Sequence, residues 1–241
     1  MKISLYTLTS PLHDENAVNS ASAAFLKEIE KRLGFQMDFR GYDFSGYGSG
    51  GLDVIFVRTG GTEGLFKEVF PELGGNILLL TSGKSNSLAA SMEILSYLNQ
   101  QGRKGEIIHG SPDYIAERLG LLSKVNTARE ALAGKNLGVI GQPSDWLISS
   151  DVDKSIVKAG LGINLVDIPI EELIEIVKSD EDLSMYSHPI MSEIAAKVPS
   201  AIKGYTSGAL RIYSALKKIV ARYDLSGLTV RCFDLLTSIE N

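Results

Sequence analysis

Asn76-Ile77-Leu78-Leu79-Leu80-Thr81-Ser82-Gly83-Lys84-Ser85-Asn86-Ser87 is the stretch from which the fold is read. Ile77 to Leu80 form an unbroken apolar run, which predicts a strand buried on both faces. A polar loop follows, and then Leu88, Met92, Leu95 and Leu98 keep helical spacing. Ser85 or Ser87 is the expected cap of that helix and Gly102 its stop. A strand of this kind feeding a capped helix is the repeating unit of a parallel sheet with helices on both sides.

Gly83-Lys84-Ser85 invites a nucleotide reading. A phosphate-cradling loop needs a glycine five residues before the Gly-Lys pair, and Leu78 stands there inside the strand. The loop still offers hydroxyls, an amide and an amine at the carboxyl end of a central strand, where open α/β sheets bind ligands. Those groups suit a polyol better than a triphosphate.

Upstream, Lys2–Leu8 predicts a first strand, Thr9–Glu15 a polar loop, and Asn16–Leu33 a helix closed by Gly34. Gln36–Tyr42 predicts a second strand and Leu52–Arg58 a third, joined by the glycine-rich link Ser45–Gly51. Thr59-Gly60-Gly61-Thr62 then leads to a short helix ending near Phe70. Downstream, Gly105–Ile108 is the expected fifth strand, with Ser111-Pro112 opening a helix to about Leu122. Strands alternating with helices predict a doubly wound, flavodoxin-like sheet in the order 2-1-3-4-5. Its switch point lies between strands one and three.

A helical connector, Val125–Leu132, closes at Ala133-Gly134, so the first domain is read as residues 1–133 and the second as 134–241. In the second, Asn136–Ile140, Ile163–Ile168 and Leu228–Leu235 are the expected strands. Ser150 and Asp151 are expected to open one helix, and Pro169 another that ends at Lys178. Further helix is expected from about Ile190 to Tyr223, with a turn at Ser226-Gly227. The expected fold class is therefore α/β, with two consecutive Rossmann/flavodoxin-like three-layer domains. The second is read as incomplete, because an apolar strand falls almost at its end.

Composition narrows the function. The 241 residues carry a net charge of −5 with no basic block, against a nucleic-acid footprint. No apolar run reaches the roughly 18 residues of a membrane span. The amino terminus opens directly on strand residues, so no signal peptide is expected and the chain is read as cytoplasmic. Cys232 is the one cysteine, which excludes an internal disulfide, and it is read as a small buried residue.

The cleft expected at the switch point takes its candidate binding residues from three loops. These are Ser10, His13 and Asp14; Gly60 and Thr62; and Ser82, Lys84, Ser85 and Asn86. Asp14 also reads as a helix cap, His13 as an exposed loop residue, and Lys84 as a surface lysine. Arg58, where a phospho-receiver needs an aspartate, argues against that class. The first loop also lacks the Ser/Thr/Gly-rich pattern of a flavin-mononucleotide site. Asp145 and Trp146 offer a possible stacking face for a sugar ring, and Arg231 and Asp234 a possible pair. His109 and His188 read as structural.

Three segments carry a family resemblance. They are Ser85-Asn86-Ser87-Leu88-Ala89-Ala90 with Glu93, Gly138-Val139-Ile140-Gly141 followed by Ser144-Asp145-Trp146-Leu147-Ile148, and Leu228-Thr229-Val230-Arg231-Cys232-Phe233-Asp234. With the order of elements, they resemble the amino-terminal two domains of the L-fucose and L-arabinose ketol isomerases. The resemblance implies aldose–ketose interconversion through an enediol, with Mn²⁺ held by residues beyond Asn241. No cofactor is then expected on this chain, Glu240 is no metal ligand, and the polypeptide alone is expected to be inactive. It also implies a homo-oligomer, trimer or hexamer, in which this domain supplies scaffold and a sugar-binding rim. The rival readings are a non-catalytic two-domain sugar-binding or sensory module, and an assembly subunit that pairs through its last strand.

Overall fold

The computed structural model describes residues 2–179, 197 and 199–233. It is an α/β chain with two parallel sheets, fitting two Rossmann/flavodoxin-like domains of which the second is smaller. The chain divides into two compact units, Met1–Ala128 and Arg129–Asn241.

In the first unit β1 (Ile3–Leu8), β2 (Asp38–Gly41), β3 (Leu52–Val57), β4 (Ile77–Thr81) and β5 (Gly105–Ile108) pair in the order β2-β1-β3-β4-β5. The strand period of two divides their side chains between two cores. Ile3, Leu5, Val54, Phe56, Leu78 and Leu80 face α1 (Glu15–Leu33) and α4 (Pro112–Leu132), meeting Ile29, Ile115 and Leu119. Tyr6, Leu8, Ile55, Val57, Ile77 and Leu79 face α2 (Glu63–Val69) and α3 (Ser87–Gln100), meeting Phe66, Ala90, Ile94 and Leu98. Strands β1 and β4 are buried along their whole length for this reason.

Several local expectations are corrected. The buried stripe of α3 is Ala90, Ile94 and Leu98, while Met92 is exposed. Leu98 is common to the expected and observed stripes, and the small Ser87 and Ser91 are buried beside it. Its N-cap is Asn86, in the left-handed region at φ 58°, rather than either serine. The segment from Pro112 to Leu132 is one continuous helix, not a helix followed by a separate connector. Strand β2 is shorter than expected, and its pairing with β1 skips a residue: Leu5 faces Phe39, but Tyr6 faces Gly41. Arg40 is thus bulged out of the ladder.

In the second unit β6 (Asn136–Ile140), β7 (Asn164–Ile168) and β8 (Leu225–Val230) pair in the order β7-β6-β8. One core cluster joins Ile140, Ile168 and Leu225 to α6 (Ile170–Lys178) and α7 (Thr206–Arg222), through Leu173, Val177, Ala215 and Ile219. Helix α5 (Lys154–Leu161) starts later than expected because Asp153, not Ser150 or Asp151, caps it. Strand β8 starts at Leu225, so Ser226-Gly227 lies inside it, and the turn falls at Asp224, at φ 48°. Cys232 is exposed rather than buried. The expected helix from Ile190 reaches outside the described residues, where His188, Asp234 and Glu240 also lie. Strand β8 ends at Val230, short of the expected Leu235, with Cys232 and Phe233 already helical. No helix is long and apolar enough to cross a membrane among the described residues.

Candidate functional site

Reversal of the strand order at β1 sends the chain away to either side and leaves a crevice at the carboxyl ends of β1 and β3. A cleft of about 500 Å³ lies there. That volume falls within the roughly 300–1,000 Å³ of small-molecule sites. Thr7, Thr9, Ser10, Pro11 and His13 line it from β1 and its loop, and Glu15 and Asn19 from the first turns of α1. Phe39, Gly41 and Tyr42 form the β2 wall, and Arg58 and Leu65 complete the lining beyond β3. The bulge at Arg40 falls between the residues of this wall.

Two hydrogen bonds hold the floor. The Ser10 N–H donates to Thr59 Oγ1 at 2.9 Å, joining the loop after β1 to the loop after β3. The Arg58 N–H donates to the Leu8 carbonyl at 3.0 Å. The Arg58 guanidinium then returns across the crevice, Nε donating to Thr9 Oγ1 at 2.6 Å and Nη1 to Asn19 Oδ1. Arg58 is 6% exposed, and its nearest carboxylate is Glu15 Oε1, 3.9 Å from Nη2. Burial pulls the guanidinium below its ordinary pKa, and the Glu15 charge partly opposes this. Tyr42, half-exposed on the opposite wall, donates weakly from its hydroxyl to Glu68 Oε2 at 3.4 Å.

The candidate residues separate into groups. Ser10 and His13 line the cleft, although Ser10 is buried and its Oγ accepts the Leu12 N–H at 3.3 Å. Asp14 caps α1, its Oδ1 accepting the Asn16 N–H at 2.9 Å. The Gly60 N–H donates to the Ser85 carbonyl at 2.7 Å, tying the loops after β3 and β4 together. A side chain on Gly60 would meet Asn86 Cβ at 3.0 Å. Thr62 is fully buried and donates from its hydroxyl to the Thr59 carbonyl. Lys84, Ser85 and Asn86 are exposed, and with Ser82 they lie outside the cleft lining.

The loop after β4 is instead braced from below. Thr81 Oγ1 accepts the Gly83 N–H at 3.1 Å and pairs with Ser87 Oγ at 2.7 Å. His109 Nδ1 lies 3.2 Å from the Thr81 carbonyl, which can only accept, so Nδ1 carries the proton in that contact. Gly83 sits at φ 75° with its α-carbon against the His109 ring, where a Cβ would stand 2.7 Å from Cε1. His109 is a structural residue of this loop.

Arg58, Asn19, Glu15 and Tyr42 were not among the sequence candidates. Their one legible signal is Arg58 itself, a cation that follows the apolar run Val54–Val57. In the second unit Trp146 is exposed and meets Phe233 edge-on at 5.8 Å, and Asp145 Oδ1 lies 3.9 Å from Arg231 Nη1. No group of three or more His, Cys, Asp or Glu is placed to hold a metal ion among the described residues. Those residues therefore do not fit a Mn²⁺ centre, and no catalytic step through one is assigned to them. The sequence matches no family model and no curated protein.

Proposed function

We propose that the cleft over β1 and β3 binds a sugar, and that the chain is the amino-terminal part of a cytoplasmic ketol isomerase resembling the L-fucose and L-arabinose isomerases. Its role is scaffold, subunit contact in a homo-oligomer, and rim of the sugar site. Proton transfer between C1 and C2, and the Mn²⁺ of that family, belong to residues outside this sequence.

The observation that carries the reading is the cleft's lining: hydroxyls, an imidazole, an amide and a guanidinium opposite the Phe39–Tyr42 wall. Hydroxyl-rich ligands need several convergent donors and acceptors together with an aromatic surface for their C–H faces. The loop after β4, which lies outside the cleft, is no triphosphate cradle, because Leu78 stands where the glycine is needed. The test is ligand-observed nuclear magnetic resonance on the 241-residue chain with L-fucose, L-arabinose and their alditols. Saturation transfer that Tyr42→Ala and His13→Ala both reduce is the expected result. No transfer to any of the four overturns the sugar site. Robust turnover by this polypeptide with added Mn²⁺ overturns the division of labour.

A further inference from the structure

We propose that Arg58 makes the cleft an anion seat, so that the sugar it holds bears a negatively charged oxyacid group, a carboxylate or a phosphate ester. This rests on the reading of the cleft as a sugar site and specifies the class of sugar. A guanidinium withdrawn from water needs a negative partner close enough to repay its lost hydration. Arg58 is 6% exposed, yet both of its hydrogen-bond acceptors, Thr9 Oγ1 and Asn19 Oδ1, are neutral. They orient the guanidinium without cancelling its charge.

Glu15 does not fill that role. Its Oε1 stands 3.9 Å from Nη2, beyond hydrogen-bond reach, and its side chain is 76% exposed. It is a solvated carboxylate at the rim. Of five guanidinium N–H donors, two are committed, and those on Nη2 have no hydrogen-bond acceptor among the described residues. A planar guanidinium with donors to spare, fixed by neutral acceptors in the wall of a cleft, is suited to a carboxylate or phosphate rather than a hydroxyl. Thr9 and Asn19 are positioning residues for it.

The test is calorimetric titration of the full chain with an aldohexose, its uronic acid and its 6-phosphate, with inorganic phosphate as the bare anion. One or both charged sugars are expected to bind about ten- to a hundredfold tighter than the neutral parent. The tighter of the two identifies the group, and the preference shrinks as salt is added. Arg58→Lys is expected to erase most of the preference. Because a buried arginine is a risk to folding, Glu15→Gln supplies the second arm. Removing the competing rim charge is expected to raise the charged-over-neutral preference about two- to fivefold.

Equal binding of neutral and charged sugars overturns the anion seat and leaves the sugar site standing. Phosphate binding that strengthens in Glu15→Gln, with no sugar bound, upholds the seat and overturns the sugar reading. An unchanged preference in Glu15→Gln, or no binding by any probe, overturns the seat.

Discussion

Strands β3 and β7 are both parallel strands, of six and five residues, but they live in different surroundings. Five of the six residues of β3 are buried, and its neighbours carry helices on both faces. In β7 only Ile168 is buried, and Asp167 sits half-exposed on the strand in an ion pair with Lys154. The first sheet divides its side chains between two cores, whereas the second packs one face onto α6 and α7. Its other face carries the short α5, whose Ile156 and Leu161 remain exposed. Parallel pairing alone does not demand burial on both faces; the helices available to cover each face decide it.

The sharpest way to break this comparison is to delete a side chain from each sheet. Phe56→Ala removes a fully buried ring and is expected to cost about 3–5 kcal/mol. Leu165→Ala, at a half-buried position, is expected to cost about 1 kcal/mol. Urea unfolding read by amide hydrogen exchange of β3 for the first unit and by Trp146 fluorescence for the second separates the two. Equal costs would mean that the outer face of β7 is as covered as the core of the first sheet.

Adding a methyl group asks the converse question. A Cβ on Gly105 would lie 2.7 Å from Leu98 Cδ1 and 3.2 Å from the Ile77 carbonyl oxygen. On Gly138 it would meet Leu225 Cδ1 at 2.5 Å and Ile168 Cδ1 at 3.3 Å, both ends of side chains. Each alanine substitution is expected to cost about 1–3 kcal/mol. Gly105→Ala should be the worse, because a backbone oxygen cannot swing aside. The same urea midpoints decide the order, and a costlier Gly138→Ala would show the second core to be the less yielding.

These contrasts mark what could be read in advance. Ile77–Leu80 announced itself because burial on both faces leaves no room for polar residues, and Leu52–Val57 is apolar apart from Asp53, so their order and pairing followed from pattern. The α3 stripe was harder to read, since Ala90 and Ser91 pack there by being small and hydropathy ranks them below Met92. The limits of α5 and β8 depended on Asp153 and Asp224, single residues whose conformation decides where an element starts. At the cleft, Ser10 and His13 were legible because they follow β1 directly. Asn19 and Tyr42 were not, because they reach it only once α1 and β2 are folded against β1. Arg58 was noticed for what it excluded rather than for its donors.

Helix caps sharpen the comparison at a smaller scale. Asp14 and Asp153 make the same two-bond cap, Asp153 Oδ1 accepting from Ser155 N at 2.8 Å and Ile156 N at 3.4 Å. Asp153→Ala should lower the second unit's midpoint more than Asp14→Ala lowers the first's. An eight-residue helix depends more on its cap than one of nineteen. Equal shifts would indicate that the sheet, not the cap, holds α5.

The smallest expected effect is in the response to acid, and here the units should move in opposite directions. Burial raises the Asp53 carboxyl above its usual range, and its Oδ1 has no hydrogen-bond partner. The folded first unit therefore holds that proton more tightly than the unfolded chain does. Its contribution to stability is present below the ordinary carboxylate pKa of about 3.9 and is lost as pH rises through the raised value. Asp153 is lowered, chiefly by its hydrogen bond with the Ser155 side chain. Its contribution is present above the ordinary value and lost as pH falls through the depressed one. Urea midpoints at acid pH, each compared with Asp53→Asn or Asp153→Ala, should show the first unit gaining and the second losing on acidification. Parallel slopes would remove either residue as the cause.

The skipped partner in the pairing of β1 with β2 has an evolutionary reach. Because β2 is the outermost strand, only one side of it is committed to the ladder. Gaining or losing a single codon there would re-aim Phe39 and Tyr42 while leaving every pairing from β3 to β5 as it stands. The outer wall of the cleft can thus change by small insertions at one margin, without a matching change in the interior that keeps the protein folded.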